Sequence, residues 1–245
     1  MAPGQPVAVK AFGGLFAQYA NLPRRSVRQV PADLDLEEAS VLSLSYATAW
    51  HALHDRGNLR PQETLLVLGA AGATGYAAVQ VGRFAGARVI ASASSPEKRA
   101  LAVAGGADAA LDSTSESWRN CLRAANDGNP VDVVFDPLGG AITEQAFRSL
   151  GWGGRHLVIG FVRGLTELRT NLALIKGASL VGCDIRQFES RNPSEFAASL
   201  LQIFDLAARG VFRPPIARRY RLDQFKAAML DASGGKVAGR IIISP

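Results

Sequence analysis

From Leu65 onward the chain alternates short, almost wholly apolar runs with longer stretches in which apolar residues return every three or four positions. A short run without a polar face reads as a strand covered on both sides, and the amphipathic stretches between such runs read as the helices that cover it. The predicted strands are Leu65 to Leu68, Arg88 to Ala91, Ala109 to Leu111, Val131 to Phe135, His156 to Ile159 and Ser179 to Gly182. The predicted helices are Tyr76 to Phe84, Pro96 to Ala104, Ser115 to Ala125 and Ala141 to Leu150, with Pro96 suited to a first turn and Gly105-Gly106 to a stop. Right-handed crossovers join such elements into an α/β fold, a doubly wound parallel Rossmann sheet.

On either side of this pattern the chain reads differently. Val7 to Val9, Leu15 to Tyr19 and Ser26 to Val30 are short β-prone pieces separated by Gly13-Gly14 and Asn21-Leu22-Pro23. Three such pieces are too few for a stable sheet, so their partner strands come later in the chain or lie outside it. Asp35 is placed to cap a helix that carries Glu37 and Glu38 in its first turn and runs through Leu53 to a stop before Gly57. Beyond the sheet, Pro193 to Ala208 reads as a helix, Ile216 to Tyr220 as a strand, Leu222 to Leu230 as a helix and Lys236 to Ile243 as a last strand. The expected organisation is a β-rich remnant over 1–35, a nucleotide-binding domain with its lead-in helix over 36–190, and a segment over 191–245 that returns to the first domain.

Composition narrows the class. With 48% apolar and 20% charged residues in 245, the chain has the material for a core and none of the marks of long disorder. Its two cysteines, Cys121 and Cys183, cannot build a disulfide framework or a four-thiolate zinc site, and a reducing, cytoplasmic setting is expected. The net charge of +6 is spread out; even the tightest groups, Arg24, Arg25, Arg28 and Arg218, Arg219, Arg221, fall short of the runs that mark nucleic-acid tails. Nucleic acid is therefore not an expected partner. Met1 to Lys10 lacks the apolar core of a secretory signal. The uncharged stretch Thr64 to Gly82 is broken by Gly69, Gly72, Gly75 and Gly82, so no membrane span is expected.

The glycines have a better explanation. Gly69-Ala70-Ala71-Gly72-Ala73-Thr74-Gly75 follows the first sheet strand and opens a helix. A dinucleotide needs a backbone bare enough for its pyrophosphate, the free N–H groups of a helix start, and a last glycine that lets helix and strand close up. The fingerprint is G-x-G-x-x-G, and this chain matches it as A-x-G-x-x-G, with Ala70 at the first position and Gly72 and Gly75 at the others. At the end of the second strand, Ala91-Ser92-Ala93-Ser94-Ser95 lacks the acid that an NAD site sets against the ribose 2′-hydroxyl. Ser94 and Ser95 offer hydroxyls, and Lys98 and Arg99 offer charge, so a 2′-phosphate and hence NADP(H) is favoured. Asp136-Pro137-Leu138-Gly139-Gly140 and Gly160-Phe161-Val162 follow strands four and five at the same end of the sheet, as cofactor loops or as plain turns.

Hydride transfer requires positioning and exclusion of water, and neither a nucleophile nor a metal. None of the four tyrosines has a lysine four residues later, which removes the Tyr-x-x-x-Lys pair of short-chain dehydrogenases. His51 and His54, three apart on one predicted helix, read as structural, and no metal site is expected. Neither G-x-S-x-G nor G-x-x-x-x-G-K-[ST] occurs, which removes the common hydrolases and NTPases. A methyltransferase on the same fold would need an acid near Ala91 to Ser95, where none stands.

Taken as a set, Ser45-Tyr46-Ala47-Thr48-Ala49-Trp50-His51-Ala52-Leu53, the glycine loop, Ala93-Ser94-Ser95-Pro96-Glu97-Lys98, Asp136 to Gly140, Trp152-Gly153-Gly154-Arg155 and Ile159-Gly160-Phe161 resemble the zinc-free quinone oxidoreductases of the medium-chain dehydrogenase/reductase superfamily, the ζ-crystallin type included. The resemblance runs over essentially the whole chain. It implies NADPH-dependent reduction of quinones or α,β-unsaturated carbonyl compounds, and a homodimer paired through the outer strand of the sheet. By position it implies that Thr48 lies near the nicotinamide and that Tyr46 lines the active-site cleft. It sets Ala71, Gly72, Ala73 and Thr74 against the pyrophosphate, Ser94 and Lys98 at the adenosine phosphate, and Ser113 on the ribose side. Ile159, Gly160, Phe161 and Val162 then flank the nicotinamide together with Cys183, Asp184 and Ile185. Family members begin with a GroES-like catalytic domain, of which this chain carries only a remnant, so about 80 or more residues of such a domain are expected to be missing. The competing expectation is a shortened, noncatalytic NADP-binding protein, one that contacts RNA as some ζ-crystallin relatives do.

Overall fold

In the computed structural model, which describes residues 2–11 and 13–245, the chain divides into two compact units. One holds the residues up to Ala47 together with Ser194–Pro245, and the other holds Thr48–Pro193.

In the first unit β1 (Val7–Val9) pairs antiparallel with β2 (Val27–Gln29). Leu15 to Tyr19, expected as a strand, forms no regular element; Phe16 and Tyr19 are exposed, and no strand is paired with this piece. Helix α1 (Leu36–Trp50) starts at Asp35, whose carboxylate accepts from the N–H groups of Glu37 and Glu38 at 2.9 and 3.1 Å. The chain leaves α1 through a wider turn, His51–Arg56, closed by the Gly57 N–H on the Ala52 carbonyl at 2.7 Å.

The second unit is built on β3 (Thr64–Leu68), α2 (Ala73–Phe84), β4 (Arg88–Ala93), α3 (Pro96–Ala104), β5 (Ala109–Asp112), α4 (Trp118–Ala125), β6 (Val131–Asp136), α5 (Ala141–Arg148), β7 (Leu150–Val158), α6 (Thr170–Lys176), β8 (Ser179–Gly182) and α7 (Ile185–Arg191). Its six strands are all parallel in the order β5-β4-β3-β6-β7-β8, the doubly wound arrangement with a switch point between β3 and β6. Several boundaries differ from the expected pattern: α2 starts at Ala73 rather than Tyr76, α4 at Trp118 rather than Ser115, β4 runs on to Ala93 rather than Ala91, and the helix over Ala141 to Leu150 ends at Arg148, where Leu150 opens a strand reaching back well before His156. Gly151, Gly153 and Gly154 mask that strand in the sequence, because glycines read as turn rather than as strand.

The remaining elements return to the first unit: α8 (Pro193–Ala208), β9 (Ile216–Arg221), α9 (Phe225–Ser233) and β10 (Arg240–Ser244), with β9 and β10 parallel. The helix expected over Leu222 to Leu230 starts as a tighter turn, Leu222–Gln224, and runs on to Ser233, while the last strand starts at Arg240 rather than Lys236. Among the described residues no helix is long and apolar enough to cross a membrane.

The apolar runs are covered on both faces as expected: every residue of β3 is buried, as are Val89 to Ala93 of β4 and Val133 to Asp136 of β6. Leu66, Leu68, Ile90, Val134, Phe147, Trp118 and Leu122 form one core cluster beneath α4 and α5. On the other face α2 comes close to β3. A Cβ on Gly75 would stand 2.2 Å from the Gly69 carbonyl oxygen, and one on Gly82 would stand 2.5 Å from Leu65 Cδ2. Since backbone cannot yield as a flexible side chain can, Gly75→Ala should lower unfolding free energy by about 3 kcal/mol, the upper part of the overpacking range, measured by urea denaturation. An effect below about 0.5 kcal/mol would mean that the contact relaxes freely.

Candidate functional site

The loops that follow β3, β6 and β7 meet at the carboxyl end of the sheet. After β3 the chain turns through Gly69, whose φ of +61° is the left-handed conformation that glycine adopts without strain. The special turn thus falls one residue before Ala70, which is why an alanine serves at the first fingerprint position. Ala70 is buried and donates its N–H to the Ser92 carbonyl at 3.1 Å. Gly72 is the N-cap of α2, exposed, and no side chain caps the helix there. A Cβ on Gly72 would meet only the Gly69 carbonyl oxygen, at 3.2 Å, so the space beyond it is open. Ala73 and Thr74 are half-buried in the first turn, and Ala71 is buried.

Asp136, the last residue of β6, organises the second loop. It is 2% exposed, and its Oδ1 accepts from the N–H groups of Leu138 and Gly139, each at 2.9 Å. Its Oδ2 accepts from Thr143 Oγ1 at 2.6 Å and from His156 Nε2 at 3.0 Å. Burial alone would raise the Asp136 carboxyl, but the hydrogen bonds from His156, Thr143 and the Gly139 N–H outweigh it and hold the group below the ordinary carboxylate value. Gly139, at φ +67°, lies so close to the third loop that a Cβ there would stand 2.5 Å from the Gly164 carbonyl oxygen. The Arg163 N–H closes the contact on the Leu138 carbonyl at 2.7 Å. Leu138 in turn covers Gly69, with its Cδ2 3.0 Å from where a Cβ would be. The two glycine-rich loops are therefore packed on one another. Neither His156, 0% exposed on β7, nor Thr143 on α5 was singled out in the sequence, because nothing local marks a strand histidine as the partner of an aspartate twenty residues earlier.

At the end of β4, Ser94 is exposed, whereas Ser95 is the N-cap of α3 and accepts from the Lys98 N–H at 3.3 Å. Ser95 is thus a helix cap, which its place before Pro96-Glu97 could have told. Arg99 is committed as well, with its guanidinium 3.0 Å from Asp112. Of the four groups expected to meet a phosphate, Ser95 and Arg99 are thus engaged within the protein, while Ser94 is exposed and Lys98 is half-buried. Ser113 lies beside them, its N–H on the Ala93 carbonyl at 3.1 Å.

The other expected site residues divide. Phe161 and Val162 are exposed on the third loop, while Ile159 and Gly160 are half-buried, with the Ile159 N–H on the Asp136 carbonyl at 2.9 Å. Cys183 is buried, and burial pushes its thiol up to about 11 despite the nearby Arg56. Asp184 caps α7 by accepting from the Arg186 N–H at 2.9 Å, and Ile185 is buried, so these side chains are engaged within the protein. Tyr46 is 1% exposed, its ring packed 5.2 Å from Phe212 in the first unit, and Thr48 is buried two residues further along α1. His51 and His54 share the Asp55 carboxylate at 2.9 and 2.8 Å, and the His51 ring stacks on Phe188 at 4.1 Å.

A six-stranded doubly wound sheet with an uncapped glycine-started helix at its switch point defines the nucleotide-binding half of a Rossmann-type oxidoreductase. Residues 73–205 match the family model described as zinc-binding dehydrogenase. The chain is 32% identical over 240 residues to quinone oxidoreductase-like protein 2 of Bos taurus, covering 97% of this chain and 68% of that protein. Among solved structures, a probable oxidoreductase from Mycobacterium abscessus superposes with a TM-score of 0.90 at 33% identity, over 100% of this chain and 74% of that one. The quinone oxidoreductase of Thermus thermophilus, solved alone and with NADPH, superposes with a TM-score of 0.87 at 28% identity, over 100% of this chain and 78% of that one. The chain belongs to the zinc-binding dehydrogenase family, in the quinone oxidoreductase-like part of the medium-chain dehydrogenase/reductase superfamily. Among the described residues no three His, Cys, Asp or Glu side chains are grouped to hold a metal ion.

The depressed Asp136 carboxyl carries a pH dependence. A folded value below the unfolded one, about 3.9, adds stability that is present above the unfolded value and is lost as pH falls through the folded one. Asp136→Ala should cost roughly 3 to 5 kcal/mol at neutral pH, because it strands the buried donors of Gly139, Thr143 and His156 and the half-buried N–H of Leu138, and should flatten the acid limb of the stability profile. Urea midpoints collected from pH 7 down to 3 test this, and an unchanged acid limb would remove Asp136 from its central role.

Proposed function

We propose that this chain binds NADPH at the carboxyl end of the sheet and serves hydride transfer to a quinone or an α,β-unsaturated carbonyl acceptor. The observation that carries the reading is the exposed, uncapped start of α2 at Gly72, where a Cβ would meet only the Gly69 carbonyl oxygen at 3.2 Å. There the N–H groups of the first turn and the helix dipole hold the pyrophosphate. Ser94 and Lys98 hold the 2′-phosphate, and no acid in Ala91 to Ser95 opposes it. Ser113 lies on the ribose side. When bound, the nicotinamide supplies the hydride. Gly160, Phe161 and Val162, on a loop stiffened by Asp136 through Leu138 and Arg163, exclude water beside it, and the backbone of Cys183, Asp184 and Ile185 bounds it on the neighbouring strand. Thr48, in the same unit, is proposed to lie near the nicotinamide. The NADPH complex of the Thermus relative and the quinone oxidoreductase names among the relatives support this assignment.

The test measures binding and turnover separately. NADPH should bind more tightly than NADH, and Lys98→Ala should narrow that gap by about 1 to 2 kcal/mol, the scale of one charge-assisted contact. Gly72→Val should abolish binding with the fold kept, since a Cβ there meets no atom within 4 Å but the Gly69 carbonyl oxygen, at 3.2 Å. Turnover is read as NADPH oxidation with 9,10-phenanthrenequinone. Equal affinity for the two cofactors, or normal binding by folded Gly72→Val, would defeat the reading; binding with no turnover on any quinone or enone would leave the noncatalytic alternative.

The free edge of the sheet bears on assembly. Among the described residues β8 pairs only with β7, and beside it Leu174, Ile175 and Leu180 are 81, 68 and 52% exposed. An unpaired apolar edge is a template for another strand, and a second copy of the chain, related by a two-fold axis, satisfies both edges at once. Light scattering should report a dimer for the wild type and a monomer for Leu180→Lys. A monomeric wild type at high concentration would refute the pairing.

A further inference from the structure

The amino end of the same sheet, opposite the cofactor loops, carries a second concave feature. A pocket of about 340 Å³ opens where β6 and β7 begin, bounded by α4, the 128–130 turn and the last residues of α5 and α6. That volume lies within the range of small-ligand pockets, roughly 300 to 1,000 Å³. Four cations line it, Arg119, Arg123, Arg148 and Lys176, with Asn120, Asn129 and Ser149 as further polar groups and no carboxylate.

The chain itself accounts for part of this charge. Arg148 and Lys176 stand in the last turns of α5 and α6, where a cation complements the helix dipole. Arg148 pairs with Glu144 at 2.7 Å, Lys176 Nζ donates to the Leu150 carbonyl at 2.5 Å, and Arg123 Nε donates to the Gly128 carbonyl at 3.2 Å. Arg119 has no such account. It sits in the first turn of α4, where a helix dipole disfavours positive charge, and α4 has no acid in that turn and no side-chain cap. Among the described residues it forms no ion pair. The lysine records the crowding, for burial and then the charges of Arg119 and Arg148 hold its ammonium below the ordinary lysine value.

We propose that this pocket is an anion site for a small ligand bearing a phosphate or pyrophosphate group, separate from the cofactor site and held by Arg119, Arg123, Arg148 and Lys176. Guanidinium forks match phosphate oxygens two at a time, and the amide and hydroxyl groups of Asn120, Asn129 and Ser149 satisfy what remains. A dianion there relieves the repulsion among the cations. The concave shape and the small number of cations select a compact ligand over a nucleic-acid backbone, which needs an extended track.

Calorimetric titration with inorganic pyrophosphate at fixed ionic strength tests the site, run on the wild type, Arg119→Glu and Gly72→Val, with melting curves to confirm folding. Saturable binding should appear in the wild type, persist in Gly72→Val and weaken at least tenfold in Arg119→Glu, whose NADPH affinity should stay within twofold. Lys176→Gln serves as a second variant and should weaken pyrophosphate in the same direction. Uridine diphosphate in a parallel arm separates the sources: affinity equal to pyrophosphate assigns the site to the inorganic ion, and tighter binding assigns it to an esterified phosphate. The proposal is overturned if pyrophosphate does not saturate, if Arg119→Glu leaves it unchanged, if Gly72→Val abolishes it, or if a single-stranded oligoribonucleotide binds through these residues while pyrophosphate does not compete.

Discussion

Everything at the carboxyl end of the sheet hangs on the Asp136 carboxylate. It is nearly buried and accepts hydrogen bonds from two backbone N–H groups, a threonine and a histidine. A buried charge persists only when it is so surrounded, and the same bonds that stabilise it fix the chain around it. Oδ1 turns the chain sharply after β6 through Leu138 and Gly139; Oδ2 ties that turn to α5 through Thr143 and to β7 through His156. Leu138 then covers Gly69, and Gly139 admits the backbone of the 160–164 loop. One side chain therefore sets the mutual positions of three loops that a cofactor at a switch point would touch. Rigidity there has a function, because hydride transfer depends on distance and on dryness rather than on a reactive protein group.

A second constraint acts on the far face. Gly75 and Gly82 let α2 lie against β3 more closely than any side chain allows. The close approach brings the start of α2 directly over the end of β3, so that its free N–H groups open at the switch point rather than above the core. At the opposite end Arg155 grips Glu63 through both guanidinium nitrogens at 2.8 and 2.7 Å and the Gly57 carbonyl at 2.9 Å, joining β7 to the chain that enters β3. Burial alone would raise the Glu63 carboxyl, but the bonds from Arg155 and the Arg60 N–H outweigh it and lower the group.

What the sequence disclosed and what it hid follow from the range of the interactions. The sheet strands were legible because each carries an apolar run bounded by turn residues, the glycine-masked start of β7 excepted, and Asp35 was legible as a cap because its bonds reach only two and three residues ahead. The glycine loop was legible for the same reason. The hub at Asp136 was not, since His156 reaches it from a neighbouring strand, and pairing between strands leaves no periodic trace in the chain. Ser95 and Arg99 show the opposite error. Both residue types suit a phosphate, and the competing local uses, a helix cap and an ion pair with Asp112, claimed them. Leu15 to Tyr19 has strand composition without a strand, which fits a β-prone piece that no neighbouring strand pairs in this chain.

The two ends of the sheet handle negative charge in different ways. At the carboxyl end, positive potential comes from backbone N–H groups and the uncapped start of α2, and Arg99 is already neutralised by Asp112. Such a site recognises a phosphate by geometry, because fixed dipoles act only where the ligand's oxygens meet them. At the amino end the potential comes from four side-chain cations and is diffuse. Helix polarity explains part of the asymmetry: parallel strands with right-handed crossovers send helix starts to the carboxyl end and helix ends to the amino end, where Arg148 and Lys176 compensate them. Arg119 breaks that rule, since it lies at the start of its helix beside the other cations, and the rule it breaks is the one that makes an otherwise ordinary basic patch informative.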